Sequence, residues 1–232
     1  MSRRKIRVRQ LYWILGLTLI AIVLTPLVRL LWHPPTTVQT PTKEPPLPWS
    51  ITFDEAGRPS VFGLVLDSST VADVLQHLGK GGGQWAILER PGNPPVLEAY
   101  YPDFIVGRIE GKLILRFSGD PEALSREFTR HGRAEPTASG ARKVEVGPES
   151  LSRLSRLPLT LITFLPKAQI DEAILRERYG SPAHQWLEEE TKVQHYLYPE
   201  RGIHILRTER GRTVIEYTTP ERLRRHLSIE RH

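Results

Sequence analysis

The chain has 232 residues, no cysteine, and 32 basic against 26 acidic residues, a formal charge of +6. Without cysteine there are no disulfides, thiol nucleophiles, cysteine–zinc sites or lipid-bearing cysteine. Residues 1–32 hold six of the basic residues and no acidic one, so the remainder balances at 26 against 26 and gives no argument for nucleic acid as a partner.

Arg3, Arg4, Lys5, Arg7 and Arg9 form a basic head, followed by an uncharged run from Leu11 to Val28. A run of about 18 apolar residues is enough to cross a hydrocarbon core. Tyr12, Trp13 and Trp32 fall near its ends, where amphipathic rings favour the headgroup layer. A cleaved signal peptide has a shorter apolar stretch and a small-residue cleavage site, and the sequence after Arg29 offers none. Ser2-Arg3-Arg4 fits a twin-arginine signal poorly. Residues 1–32 are therefore expected to be a cytoplasmic head and one transmembrane helix. The positive-inside rule then sends the C-terminal part across the inner membrane.

Residues 33–49 are proline-rich and read as an extended linker, reaching on the order of 50 Å. The rest of the chain is long enough to be stabilised by its own core.

Two stretches then resemble each other. Thr70-Val-Ala-Asp-Val-Leu-Gln-His-Leu-Gly79 parallels Asp171–Gly180, and a tryptophan follows each glycine by six residues, Trp85 and Trp186. Ala99–Pro102 parallels Tyr196–Pro199, Gly111–Phe117 parallels Gly211–Tyr217, and Pro121-Glu-Ala-Leu124 parallels Pro220-Glu-Arg-Leu223. Matches in one order at a nearly constant offset point to a duplication.

Each copy opens with a helix. Thr70 and Asp73 suit a capping box, Val71, Val74, Leu75 and Leu78 share a face, and Gly79 is the stop. Ile170, Ile174, Leu175, Tyr179 and Gly180 repeat that plan. Strands are expected at Val96–Tyr101, Phe104–Ile109 and Lys112–Phe117, with Glu110-Gly111 as a turn. In the second copy they are expected at Val193–Tyr198, Gly202–Thr208 and Thr213–Tyr217, with a turn at Gly211. Helices should start at Pro121, Pro148 and Pro220. Glu135–Arg142 reads as a loop. The fold class is α+β, with two tandem helix-plus-antiparallel-sheet modules at 50–132 and 159–232 and a connector at 133–158.

The second copy carries Tyr179-Gly-Ser-Pro182, Trp186, His195-Tyr-Leu-Tyr198, Gly202-Ile-His-Ile-Leu206 and Val214-Ile-Glu-Tyr217. In this it resembles the SmpA/OmlA (BamE-like) envelope proteins, whose module is shared by the β-lactamase inhibitor protein. The resemblance implies a helix-and-sheet fold and a protein-binding style. BamE-like proteins carry a lipid on a cysteine, and here a transmembrane helix stands in its place.

No catalytic motif is present. Gly79-Lys-Gly-Gly-Gly83 lacks the Ser/Thr and the strand–helix context of a phosphate loop. His195 and His204, with Glu216 nearby, could pair in a metal site, but nothing in the sequence supplies a complete ligand set. No cofactor is expected. Tyr100, Tyr101, Tyr196 and Tyr198 are the candidate protein-binding residues, since tyrosine is enriched at interface hot spots. The expected role is a membrane-tethered periplasmic domain that binds another envelope protein and is not an enzyme. The alternatives are an inhibitor of a periplasmic enzyme, or an envelope enzyme with a His/carboxylate site.

Overall fold

A computed structural model describes residues 46–79, 82–131, 133–137 and 139–229. The basic head, the apolar run and most of the linker lie outside these residues. Among the described residues no helix is long and apolar enough to cross a membrane.

The elements in chain order are β1 (Thr52–Phe53), β2 (Pro59–Val61), β3 (Leu64–Val65), α1 (Val71–Leu78), β4 (Gln84–Arg90), β5 (Asn93–Val106), β6 (Ile109–Phe117) and α2 (Pro121–Arg130). There follow β7 (Glu135–Pro136), β8 (Arg142–Glu145), α3 (Pro148–Arg153), β9 (Leu159–Pro166), α4 (Glu172–Tyr179) and β10 (His184–Glu188). The chain closes with β11 (Val193–Tyr198), a 3-10 turn at Pro199–Arg201, β12 (Ile203–Thr208), β13 (Thr213–Tyr217) and α5 (Pro220–Ile229). The fold is α+β.

Local chemistry sets the helix ends. Thr70 Oγ1 accepts from the Asp73 amide at 3.3 Å, and the Asp73 carboxylate accepts from the Thr70 amide at 2.8 Å, closing the capping box. Asp120 accepts from the Glu122 amide at 2.9 Å, with Pro121 at the first helical position of α2. Gly79 and Gly180 end α1 and α4, both with φ of 80° and extended ψ, a region open in practice to glycine alone.

Ten strands form one antiparallel sheet in the order β10-β11-β12-β13-β9-β6-β5-β4-β8-β7. The strands of both resembling stretches join in this sheet, with β9 bridging β13 and β6. Sequence patterning missed β9 because Leu159-Thr-Leu-Ile-Thr-Phe-Leu-Pro is almost uniformly apolar, without the alternation of a half-exposed strand. It also missed β4, β8 and β10.

Three expectations are corrected here. Pro102 and Asp103 do not end a strand. They sit in a bulge inside the 14-residue β5, between the Tyr101 and Phe104 pairings. Gly111 is not a turn residue but lies within β6, and the hairpin turn is Gly107-Arg108, with Gly107 at φ 61°. Glu135–Arg142 is not wholly loop, because β7 pairs with β8 at its ends.

One face of the sheet carries helices. Trp85, Ile87, Leu97, Leu113, Phe117, Ile162, Phe164, Ile205 and Tyr217 point to that face. They share one buried core with Val71 and Val74 of α1, Leu124 and Phe128 of α2, Leu151 of α3, and Leu175 and Tyr179 of α4. Phe62, fully buried, packs edge-on against Phe104, Phe164 and Tyr217 at centroid separations of 5.2, 5.4 and 6.0 Å. Such pairs contribute about 0.5–1.5 kcal/mol each beyond area burial.

The fold begins before residue 50. Pro48 is buried and its carbonyl accepts from the Tyr217 hydroxyl, while the Arg178 guanidinium lies 5.0 Å from the centre of the Trp49 ring. The last residues assigned to the linker are thus part of the domain.

Candidate functional site

The alternation of strand side chains places the other set of residues on the face without those helices. Cross-strand register brings Trp186 opposite His195, His204 opposite Glu216, Glu216 opposite Thr163, and Tyr100 opposite Ile114. Val193, Leu206 and Val214 form a small apolar cluster on this face with Leu165 against them, and no helix residue joins it. Glu98 and Arg116 pair directly across β5 and β6 on the same face at 2.8 Å.

The four candidate tyrosines do not make one docking patch. Tyr101, Tyr196 and Tyr198 are buried at 5, 1 and 5 % exposure, on the helix-bearing side of the sheet. Tyr198 spends its hydroxyl on the Gly180 carbonyl at 3.0 Å. Burial raises the pKa of all three. Tyr100 alone faces the other way and keeps part of its surface, because consecutive strand residues point to opposite faces. The expectation of a surface built from all four is therefore corrected: three are core.

The histidines do come together. His195 Nδ1 and His204 Nε2 lie 3.0 Å apart in a hydrogen bond. His195 Nε2 is 3.7 Å from Glu188 Oε2, and His204 Nδ1 is 3.7 Å from Glu216 Oε2. Trp186 stacks on His195 with ring centroids 4.6 Å apart and 14° between planes, and its edge extends over His204 at 5.9 Å. Both histidines are buried, at 3 and 7 % exposure. Glu188 also takes a hydrogen bond from the Thr191 hydroxyl. The sequence named His195, His204 and Glu216 together. Glu188 was missed because β10 was not expected as a strand, although Trp186 and Glu188 alternate as a strand would require.

The four groups form a line, Glu188–His195–His204–Glu216, rather than a shell. In a ring-to-ring hydrogen bond the lone pair of one nitrogen points at the N–H of the other. A shared metal needs both lone pairs aimed at a common point. Among the described residues no group of three or more His, Asp or Glu is arranged to hold a metal ion. His195 Nε2 is buried without a hydrogen-bond partner. Burial, with His204 adding to it, holds His195 down to about 4. His195 is thus neutral near neutrality, hydrogen-bonded ring to ring with His204.

A second polar cluster ties α2 to α3. Arg153 donates to both carboxylate oxygens of Glu127, at 2.7 and 3.1 Å, and His131 Nε2 lies 2.8 Å from Ser150 Oγ. Ser150 is 1 % exposed and also accepts from Arg153. Its hydroxyl is a structural tether, closed to a substrate.

No family model, curated protein or solved structure matches the chain.

Proposed function

We propose that the chain is a single-pass inner-membrane protein, N-terminus in the cytoplasm, whose periplasmic domain binds another protein of the cell envelope. Residues 1–32 anchor it, and the proline-rich stretch lifts the domain from the bilayer. The domain is read as two tandem helix-and-sheet modules of the BamE-like kind, merged through β9 into one sheet. The tether takes the place of the lipid of the outer-membrane relatives.

One observation carries the binding role: a ten-stranded sheet with helices packed on one face and, among the described residues, no helix packed on the other. A sheet face of this breadth is a natural docking surface for a protein partner. Tyr100 lies on it, with the ion pair of Glu98 and Arg116 beside it. Inhibition of a periplasmic enzyme would use the same face and is a special case of this reading.

The test places a photo-crosslinking residue at Tyr100 or Lys112 on the clear face, and at the exposed Glu122 of α2 as control, in cells producing the full chain. A discrete protein adduct from the first two and none from the third is expected. Equal or absent adducts at all three would overturn the role. If the captured partner is an enzyme, its inhibition by the purified chain separates the inhibitor from a scaffold.

A further inference from the structure

The His195–His204 pair is buried on the side of the sheet against which, among the described residues, no helix packs. The ring of Trp186 stacks over both imidazoles, and Trp186 belongs to the outermost strand. β10 has five residues, one strand neighbour, and three exposed side chains out of five. Besides its pairing with β11 and the hydrogen bonds that Thr191 and Lys192 of the intervening turn donate to Glu188, it is held by a hydrogen bond from Arg176 of α4 to Gln185 at 2.7 Å. An edge strand with so few attachments is where local opening costs least.

The charge arithmetic of the pair is set by its geometry. In the neutral pair, one ring donates to the other, and one outer nitrogen is left bare before a carboxylate. A single added proton completes the line, with N–H groups facing both Glu188 and Glu216. Both outer contacts are 3.7 Å long, however, beyond hydrogen-bond reach. The incoming charge is therefore neither solvated nor directly bonded while Trp186 stays in place. The groups facing His195 are Glu188 and Trp186 from β10 and His204 from β12. Glu216 of β13 faces the far side of His204. His184 shares the face of β10 and is exposed.

We propose that the His195–His204 pair under Trp186 is an acid-sensitive latch, in which uptake of one proton releases β10 from β11 and opens that end of the sheet. The proton favours the open state because desolvation of His195 under Trp186 outweighs its attraction to carboxylates that lie beyond hydrogen-bond reach, and water reaches the imidazolium only once β10 is open. Opening swings Trp186 away and bares the edge of β11. The remaining strands, whose core residues pack under α1–α4, keep their pairing. The low pKa that burial gives His195 accords with this direction. The latch stands independently of the partner-binding role, because it is a property of the domain alone.

Hydrogen exchange of the full-length chain in detergent micelles, at about pH 7 and about pH 5 and corrected for intrinsic rates, reads the latch directly. Peptides spanning 184–198 are expected to open roughly twentyfold more often at the lower pH, from one histidine titrating in the open state. Peptides of β5 and β6 should be unchanged. His195→Gln, which hydrogen-bonds without titrating, should abolish the difference. Equal protection of 184–198 at both pH values in the wild type would overturn the proposal whether or not the variant folds. So would a His195 titration, followed by NMR, at or above the value of a free histidine.

Discussion

The Tyr217 hydroxyl donates to the Pro48 carbonyl at 3.0 Å, joining the last strand of the sheet to the point where the chain enters the domain. Tyr179 completes the link, its hydroxyl 3.1 Å from that of Tyr217. The N-terminal end of the described domain is thus fixed to α4 and β13. Tyr217→Phe strands the Pro48 carbonyl and the Tyr179 hydroxyl in a buried site. The expected cost is about 1–3 kcal/mol. A lowered denaturant midpoint with unchanged slope, and faster proteolysis near residue 48, would be the readout.

Gly111 and Gly211 occupy matching places in the two resembling stretches yet are glycine for different reasons. A Cβ on Gly111 would sit 2.5 Å from the Phe164 ring and 2.6 Å from the Leu165 carbonyl. Gly211 has φ of 76° and only the Gln169 side chain within 3.4 Å. Gly111→Ala is expected to destabilise by about 2–3 kcal/mol through overpacking at the centre of the sheet. Gly211→Asn should be well tolerated, because asparagine accepts positive φ. Equal thermal shifts for the two variants would contradict this account.

Acid should weaken the domain through His195. His195 is held down to about 4 by burial, and its unfolded value is near the ordinary 6.5. The unfolded chain therefore binds more protons between these values, and stability present above about 6.5 is lost as pH falls towards 4. The full loss for global unfolding is about 3 kcal/mol. His195→Gln should flatten this part of the stability profile, measured by chemical denaturation across the window.

Trp186→Ala removes the ring that covers His195. Water then reaches the imidazole, and its titration should move up towards the ordinary range while the rest of the domain stays folded. NMR titration of the ring protons gives the answer. An unmoved pKa would mean that His195 owes its burial to other groups.

Alkaline titration should be cooperative. Burial raises Tyr100, Tyr101, Tyr179, Tyr196, Tyr198 and Tyr217 above the usual phenol value. Such groups contribute stability below about pH 10 that is lost as pH rises beyond it. Phenolate absorbance should therefore appear together with loss of near-ultraviolet circular dichroism, rather than as a gradual rise preceding it.

Much of the scaffold was legible where the deciding contacts are short-range. Thr70 and Asp73 sit three residues apart, so their capping box can be read from the chain, as can the starts at Pro121 and Pro220. The stops at Gly79 and Gly180 follow from the positive φ that glycine alone takes without strain. Strands rich in β-branched and aromatic residues, such as Val193–Tyr198 and Thr213–Tyr217, match the expected bounds.

Other features depended on which strand lies beside which. Uniformly apolar β9 gave no alternation to read, yet it joins the two halves of the sheet. Tyr196 and Tyr198 fell to the core because of the face their strand presents, and a slip of one residue would have turned both outwards. Glu188 and Trp186 reach the histidine pair only because β10 adds to the edge of β11. The sequence alone determined the charge segregation at the N-terminus, the absence of thiol chemistry, the helix ends and several of the strands. The tertiary structure decided the single ten-stranded sheet, the clear face and the buried line Glu188–His195–His204–Glu216. Strand register sets all three, and no local window of residues contains it.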